Sequence, residues 1–122
     1  MLPSHRHYPT EEVLMNKWLY PNTIAAAKAK LNEFLLGNIS IEDLQTSLYQ
    51  AEQNIAAYEE RWLRNLFFST ENKIEEINYT VSDLYKYELI CNEIRNCLEE
   101  IENFEQSQCI LNIDTTLKEN KP

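Results

Sequence analysis

From Asn38 to Lys121 the sequence contains neither glycine nor proline, and Gly37 is the only glycine in 122 residues. A sheet protein of this size uses several glycines in its tight turns, which place residues at positive φ. A chain without them is left with helices joined by Asn, Ser, Thr and Asp. Pro3, Pro9 and Pro21 all lie near the start, and Pro122 is the last residue. A hydrophobic content of 43% is that of a globular chain, and the length is that of one domain. The expectation is an all-α fold. It is a single domain over residues 1–122, an antiparallel bundle of three to four long helices with a less regular N-terminal arm at 1–21.

Apolar residues at steps of three and four place the helices. Glu11 to Tyr20 fits a short helix capped by Thr10, with Val13, Leu14 and Trp18 inward and Leu19 as a further candidate for the core. Asn22 reads as the N-cap of a helix from Thr23 to about Leu36, burying Ile24, Ala27, Leu31, Phe34 and Leu35. Gly37 follows the last apolar residue, where a left-handed C-cap is needed. Ser40, with Asp43 three residues on, caps the next helix, and Glu42 and Asp43 complement its dipole. The short link makes these two helices antiparallel neighbours.

From Ser40 the pattern runs through Leu44, Leu48, Ala51, Ile55, Tyr58 and Trp62 to Phe68. Ser69 and Thr70 are the first interruption, but Ser and Thr alone rarely stop a helix. One helix continuing to Asn78 is expected, with a kink near Ser69 as the alternative. The stripe widens at Trp62, Leu63, Leu66 and Phe67, which reads as contact with more than one helix, and Trp62 is expected to be largely buried. A β-branched break at Thr80 and Val81 precedes the last long helix, capped by Thr80 with Asp83 or by Ser82. Three seven-residue series follow: Leu84, Cys91, Leu98; Tyr87, Ile94, Ile101; and Ile90, Cys97, Phe104. They form the apolar face of a bundle helix. Residues 107–122 lose the period and read as an extended strap, through Cys109, Ile110, Leu111 and Ile113, followed by a tail.

The formal charge is −9, from 20 acids against 11 bases. Such a chain repels nucleic-acid phosphates and anionic membrane surfaces and attracts a basic partner. No direct nucleic-acid binding and no membrane insertion are expected, since no run approaches membrane-spanning length. Net acidity serving solubility alone stays open beside the partner reading. Cys91, Cys97 and Cys109 are odd in number and form no CxxC, so neither a disulfide framework nor a zinc site is indicated. With no secretory leader in MLPSHRHYPT, the expected compartment is the reducing cytoplasm.

Catalytic parts are missing. His5 and His7 are the only histidines, and they sit in the terminal arm with nothing to complete a metal site. There is no Gly-rich phosphate loop, no HExxH and no Glu-x-x-His pair. No enzyme activity, metal or cofactor is expected.

Acids crowd instead beside aromatic residues. Glu71, Asn72, Glu75, Glu76, Tyr79 and Asp83 fall within a short stretch relieved only by Lys73, with Tyr85 and Tyr87 nearby. Glu71 and Glu75 lie one turn apart and project together. These six residues are the candidate partner-binding surface; the competing reading is a solvated helix end. The stretch Leu31-x-x-Phe34-Leu35-x-Gly37-x-Ile39-Ser40-x-x-x-Leu44, followed by a long amphipathic helix and ENKIEEI, resembles small helical immunity proteins of bacterial toxin systems, of the colicin D immunity type. The likeness covers residues 24–79, and the longer N-terminal segment and C-terminal tail depart from it. It implies a protein that binds a basic toxin nuclease and covers its active site, with Glu71, Glu75, Glu76 and Asp83 standing in for substrate phosphates. The alternatives are a helical adaptor or subunit of a complex, and a structural homodimer built on the face of residues 84–104.

Overall fold

The computed structural model describes the backbone of residues 18–120 and the side chains of residues 18–107. Among them the chain forms α1 (Pro21–Leu35), α2 (Ile41–Asn54), a 3-10 turn at Tyr58–Glu60, α3 (Arg61–Thr80) and α4 (Asp83–Asn120), with no strand. The all-α expectation holds. The short helix proposed from Glu11 and the His5/His7 pair lie outside the described residues, except that Trp18 is buried as expected and Leu19 is exposed.

Helix α1 starts earlier than the Asn22 cap predicts. Pro21 takes the first helical position, where its missing N–H has no intrahelical partner to lose and its fixed φ already suits the helix. The end is as expected. Gly37 has φ +81°, the Gly37 amide donates to the Phe34 carbonyl and the Asn38 amide to the Glu33 carbonyl, each at 2.9 Å. These two bonds are the Schellman arrangement that satisfies a helix's last carbonyls. Ser40 then caps α2, its Oγ accepting from the Asp43 amide at 3.0 Å.

The continuous helix expected from Ser40 is not formed. It stops at Asn54 and restarts at Arg61, with Ile55 extended and buried between. The physical reason is a change of phase. At about 100° per residue, the buried set Leu63, Phe67, Thr70 and Ile74 is rotated roughly 100° from the line through Leu44, Leu48, Ala51 and Ile55. One straight helix would bury only one of these lines. Breaking at 55–57 lets α3 fold back on α2 and bury both. Tyr58, expected on the stripe, is consequently 78% exposed in the turn. Continuity through Ser69 and Thr70 is as expected, and Thr70 is buried.

The second correction concerns residues 107–122. Helix α4 runs on to Asn120 rather than giving way to an extended strap. Nothing there breaks a helix, and extending an existing helix costs far less than starting one.

Helix α1 packs on α2, α2 on α3 and α3 on α4, and α4 returns to α1. Near the start of α4, Tyr87 donates its hydroxyl proton to the Phe34 carbonyl at the end of α1, at 2.9 Å. Further along α4, Glu105 accepts from Lys28 in α1 at 3.0 Å and from the Trp18 indole at 2.9 Å. The two helices therefore run antiparallel. The core between the four is Ile24, Leu31, Phe34, Leu44, Leu48, Leu63, Phe67, Ile74, Ile90, Ile94 and Ile101, with Cys91 and Cys97 as small hydrophobes among them. Trp62 is half-buried at the edge of this core, with its ring centroid 6.1 Å from that of Trp18 and 5.1 Å from that of Phe104.

Candidate functional site

Helix α3 carries five of the six candidate residues, and its geometry divides them. Measured from its buried line, Glu71 lies on the flank toward α2, Glu75 further round and Tyr79 further still, each one turn from the last. Asn72 points away from the core, and Glu76 falls on the far side of that outward line. Asn72, Glu75, Glu76 and Tyr79 are exposed, Tyr79 at 80%, and Glu71 is half-buried. Asp83 stands beyond the turn at the first position of α4, 98% exposed and paired with Lys86 at 3.0 Å. The six therefore do not make one patch.

Glu71, Glu75 and Tyr79 do come together with residues of α2. They line a cleft of about 340 Å³ whose other walls are Gln45, Thr46, Tyr49 and Asn78. Gln45, Tyr49 and Glu52 follow one another at steps of four and three, so they share the flank of α2 that faces Glu71. Glu52 lies one turn beyond Tyr49. It is only 7% exposed, and its Oε2 is buried without a hydrogen-bond partner.

Glu52 and Glu71 meet across the seam. Burial raises the Glu71 pKa above its ordinary value of 4.5; the Glu52 charge, a hydrogen bond that the protonated Glu71 makes to Glu52, and the Glu75 charge raise it further. Each cause favours the neutral acid. Once both groups ionise, two acceptors face each other and no donor remains for Glu52 Oε2. Among the described residues the ion pairs are Lys28–Glu105 and Lys86–Asp83, so Glu52, Glu71 and Glu75 have no cation of their own. No group of three or more His, Cys, Asp or Glu among the described residues is placed to hold a metal ion. Chemically, the cleft is acidic, with amide side chains and phenol rings in its lining.

Sequence reasoning missed Gln45, Tyr49, Glu52 and Asn78. For Glu52 the signal was present. It lies four residues after Leu48 and three before Ile55, on the buried stripe, where an acid is out of place. The other three are polar residues on a helix flank, and only the position of the neighbouring helix distinguishes them.

Glu99, Glu100 and Glu102 lie on the exposed face of α4, whereas Glu105 is half-buried and holds Trp18 and Lys28. On the opposite side of α4, Ile90, Cys91, Ile94, Cys97, Leu98 and Ile101 are buried within the chain itself, leaving Leu84 and Tyr87 of the seven-residue series exposed. No helix among the described residues is long and apolar enough to cross a membrane.

No known protein family, curated protein or solved structure is significantly similar to this chain.

Proposed function

We propose that this is a binding protein, acting in the cytoplasm as an immunity protein that neutralises a basic bacterial toxin, such as a nuclease domain, by covering it. The observation that carries the reading is the cleft at the α2–α3 seam, where Glu71 and Glu75 stand above the unpartnered Glu52 without a compensating cation among the described residues. A formal charge of −9 adds a long-range field that draws a basic partner and repels competing polyanions. The resemblance of residues 24–79 to small helical immunity proteins supports the same reading.

A second reading is a helical adaptor or subunit of a complex. It is favoured by the exposed Tyr79, Leu84, Tyr85 and Leu89 around the α3–α4 turn, an apolar group of the kind that marks protein contacts.

The deciding experiment is genetic and then kinetic. Products of neighbouring genes are expressed with and without this chain. Rescue of growth from one of them identifies the toxin, and purified binding follows at low and high salt. Reversing Glu71, Glu75 and Glu76 to Lys is expected to slow association and flatten its salt dependence while helicity is kept. No rescue by the wild-type chain would remove the immunity reading.

A further inference from the structure

We infer that the α2–α3 cleft is a receptor for a single arginine side chain of the partner, with the guanidinium on Glu71 and Glu75, its charge compensating the buried Glu52, and Tyr49 and Tyr79 flanking it. The inference rests on the binding reading above and gives it a chemical address. Acidic residues on a helix are ordinary; an acid that is 7% exposed with an orphaned oxygen is not. A buried carboxylate without a donor is costly, and the group that meets Glu52 across the seam, Glu71, can donate to it only while protonated. Glu52 does not itself line the cleft, so a cation seated on Glu71 and Glu75 acts on it through its neighbour Glu71.

Geometry favours guanidinium over ammonium. Glu71 and Glu75 are one turn apart on the same flank, a spacing that offers two carboxylates to a planar group with five N–H donors. The side-chain oxygens of Gln45 and Asn78 add neutral acceptors at the rim. Tyr49 comes from one helix and Tyr79 from the other, and both rings are more than half exposed. Phenol rings on either wall suit a flat cation that stacks, and lysine lacks that plane. A volume of about 340 Å³ is at the lower end of small-ligand pockets and matches one side chain rather than a peptide segment.

The test uses the full chain and three capped peptides identical except for one central Arg, Lys or citrulline. Binding is followed by NMR shifts of the backbone amides, which register weak association. The expected result is saturable shifts centred on Gln45, Tyr49, Glu71 and Glu75 with the Arg peptide. The Lys peptide should bind several-fold more weakly, and the uncharged citrulline peptide should not bind. Glu52→Gln combined with Glu71→Gln should weaken the Arg peptide by roughly tenfold or more, the scale of a lost charge-assisted hydrogen bond. Glu99→Gln with Glu102→Gln, on the exposed face of α4, should leave it unchanged. Removing repulsion should not unfold the first variant, and its melting temperature checks this. Equal binding of the Arg and Lys peptides, shifts spread over all acidic faces, or no shifts in the cleft would each overturn the inference. Arg-peptide binding without growth rescue would overturn the immunity reading and leave the cleft assignment standing.

Discussion

Glu71 shows how a single side chain can work against the fold that holds it. Its pKa is raised above 4.5 by burial first and by Glu52 and Glu75 after that. Folding therefore favours the protonated acid. The associated stability is complete below the ordinary pKa and is lost as pH rises through the raised one. Glu71→Gln is thus expected to stabilise the protein at about pH 7, with the gain disappearing at about pH 4; urea midpoints at the two pH values check it. Cys97 presents the opposite case, a group kept inert. Burial pushes its thiol up to about 11, with Glu100 adding to the rise and a Thr70 hydrogen bond opposing it. In a Cys109→Ser background, neither Cys91 nor Cys97 should react with a thiol reagent in the native state, and both should react in denaturant. Fast labelling of the native protein would mean that the α3–α4 seam opens. The burial of these cysteines was legible in the sequence, because the seven-residue series put both on an apolar face. The Glu52–Glu71 encounter was not, because it depends on which flank of α2 meets α3.

At the scale of elements, local chemistry predicted the ends of helices better than their middles. Gly37 and Ser40 act through bonds to residues at most five positions away, so their roles follow from the sequence. The break at 55–57 has no such local mark. It answers to a shift between two buried lines, and the widening of the stripe at Trp62, Leu63, Leu66 and Phe67 was the visible trace of that shift. The contact with more than one helix that the widening suggests is real, since α3 packs on both α2 and α4; the error was to carry a single helix into it from Ser40. A consequence follows for α3. Phe67 is fully buried and Trp62 is not, so Phe67→Ala should cost about 3–5 kcal/mol and Trp62→Ala clearly less. Chemical denaturation of the two variants side by side gives the order. A larger loss at Trp62 would restore the single-stripe picture. At the end of α1, Gly37→Ala should cost about 1 kcal/mol through backbone conformation alone. A Cβ there would meet only the Tyr87 hydroxyl, at an ordinary 3.8 Å.

For the whole molecule, the question is what closes the ring of four helices. Helices α1 and α4, the first and last of the four, meet at the edge that closes the ring. Trp18 secures it. Its ring is buried against Phe104 of α4, centroids 4.8 Å apart, and lies beside Trp62 of α3. Its indole N–H donates to Glu105, which also pairs with Lys28 of α1. The next residue is anchored as well, the Leu19 amide donating to the buried Glu60 at 2.7 Å. One residue from outside the four helices thus touches α3 and α4 directly and is linked to Lys28 of α1 through Glu105. The Lys28–Glu105 pair is about a third exposed and contributes little by itself. The ring is a different matter: losing a buried indole leaves a cavity and breaks two aromatic contacts. Trp18→Ala is expected to cost about 3–5 kcal/mol, a large share of a domain's stability, whereas Trp18→Phe, which keeps most of the ring and loses the hydrogen bond, should cost nearer 1–2 kcal/mol. Circular dichroism should remain predominantly helical in both, because the four helices retain their own seams. If Trp18→Ala melts within a few degrees of the parent, the α1–α4 edge holds without this residue. Its closure would then rest on the Tyr87–Phe34 bond at the opposite end.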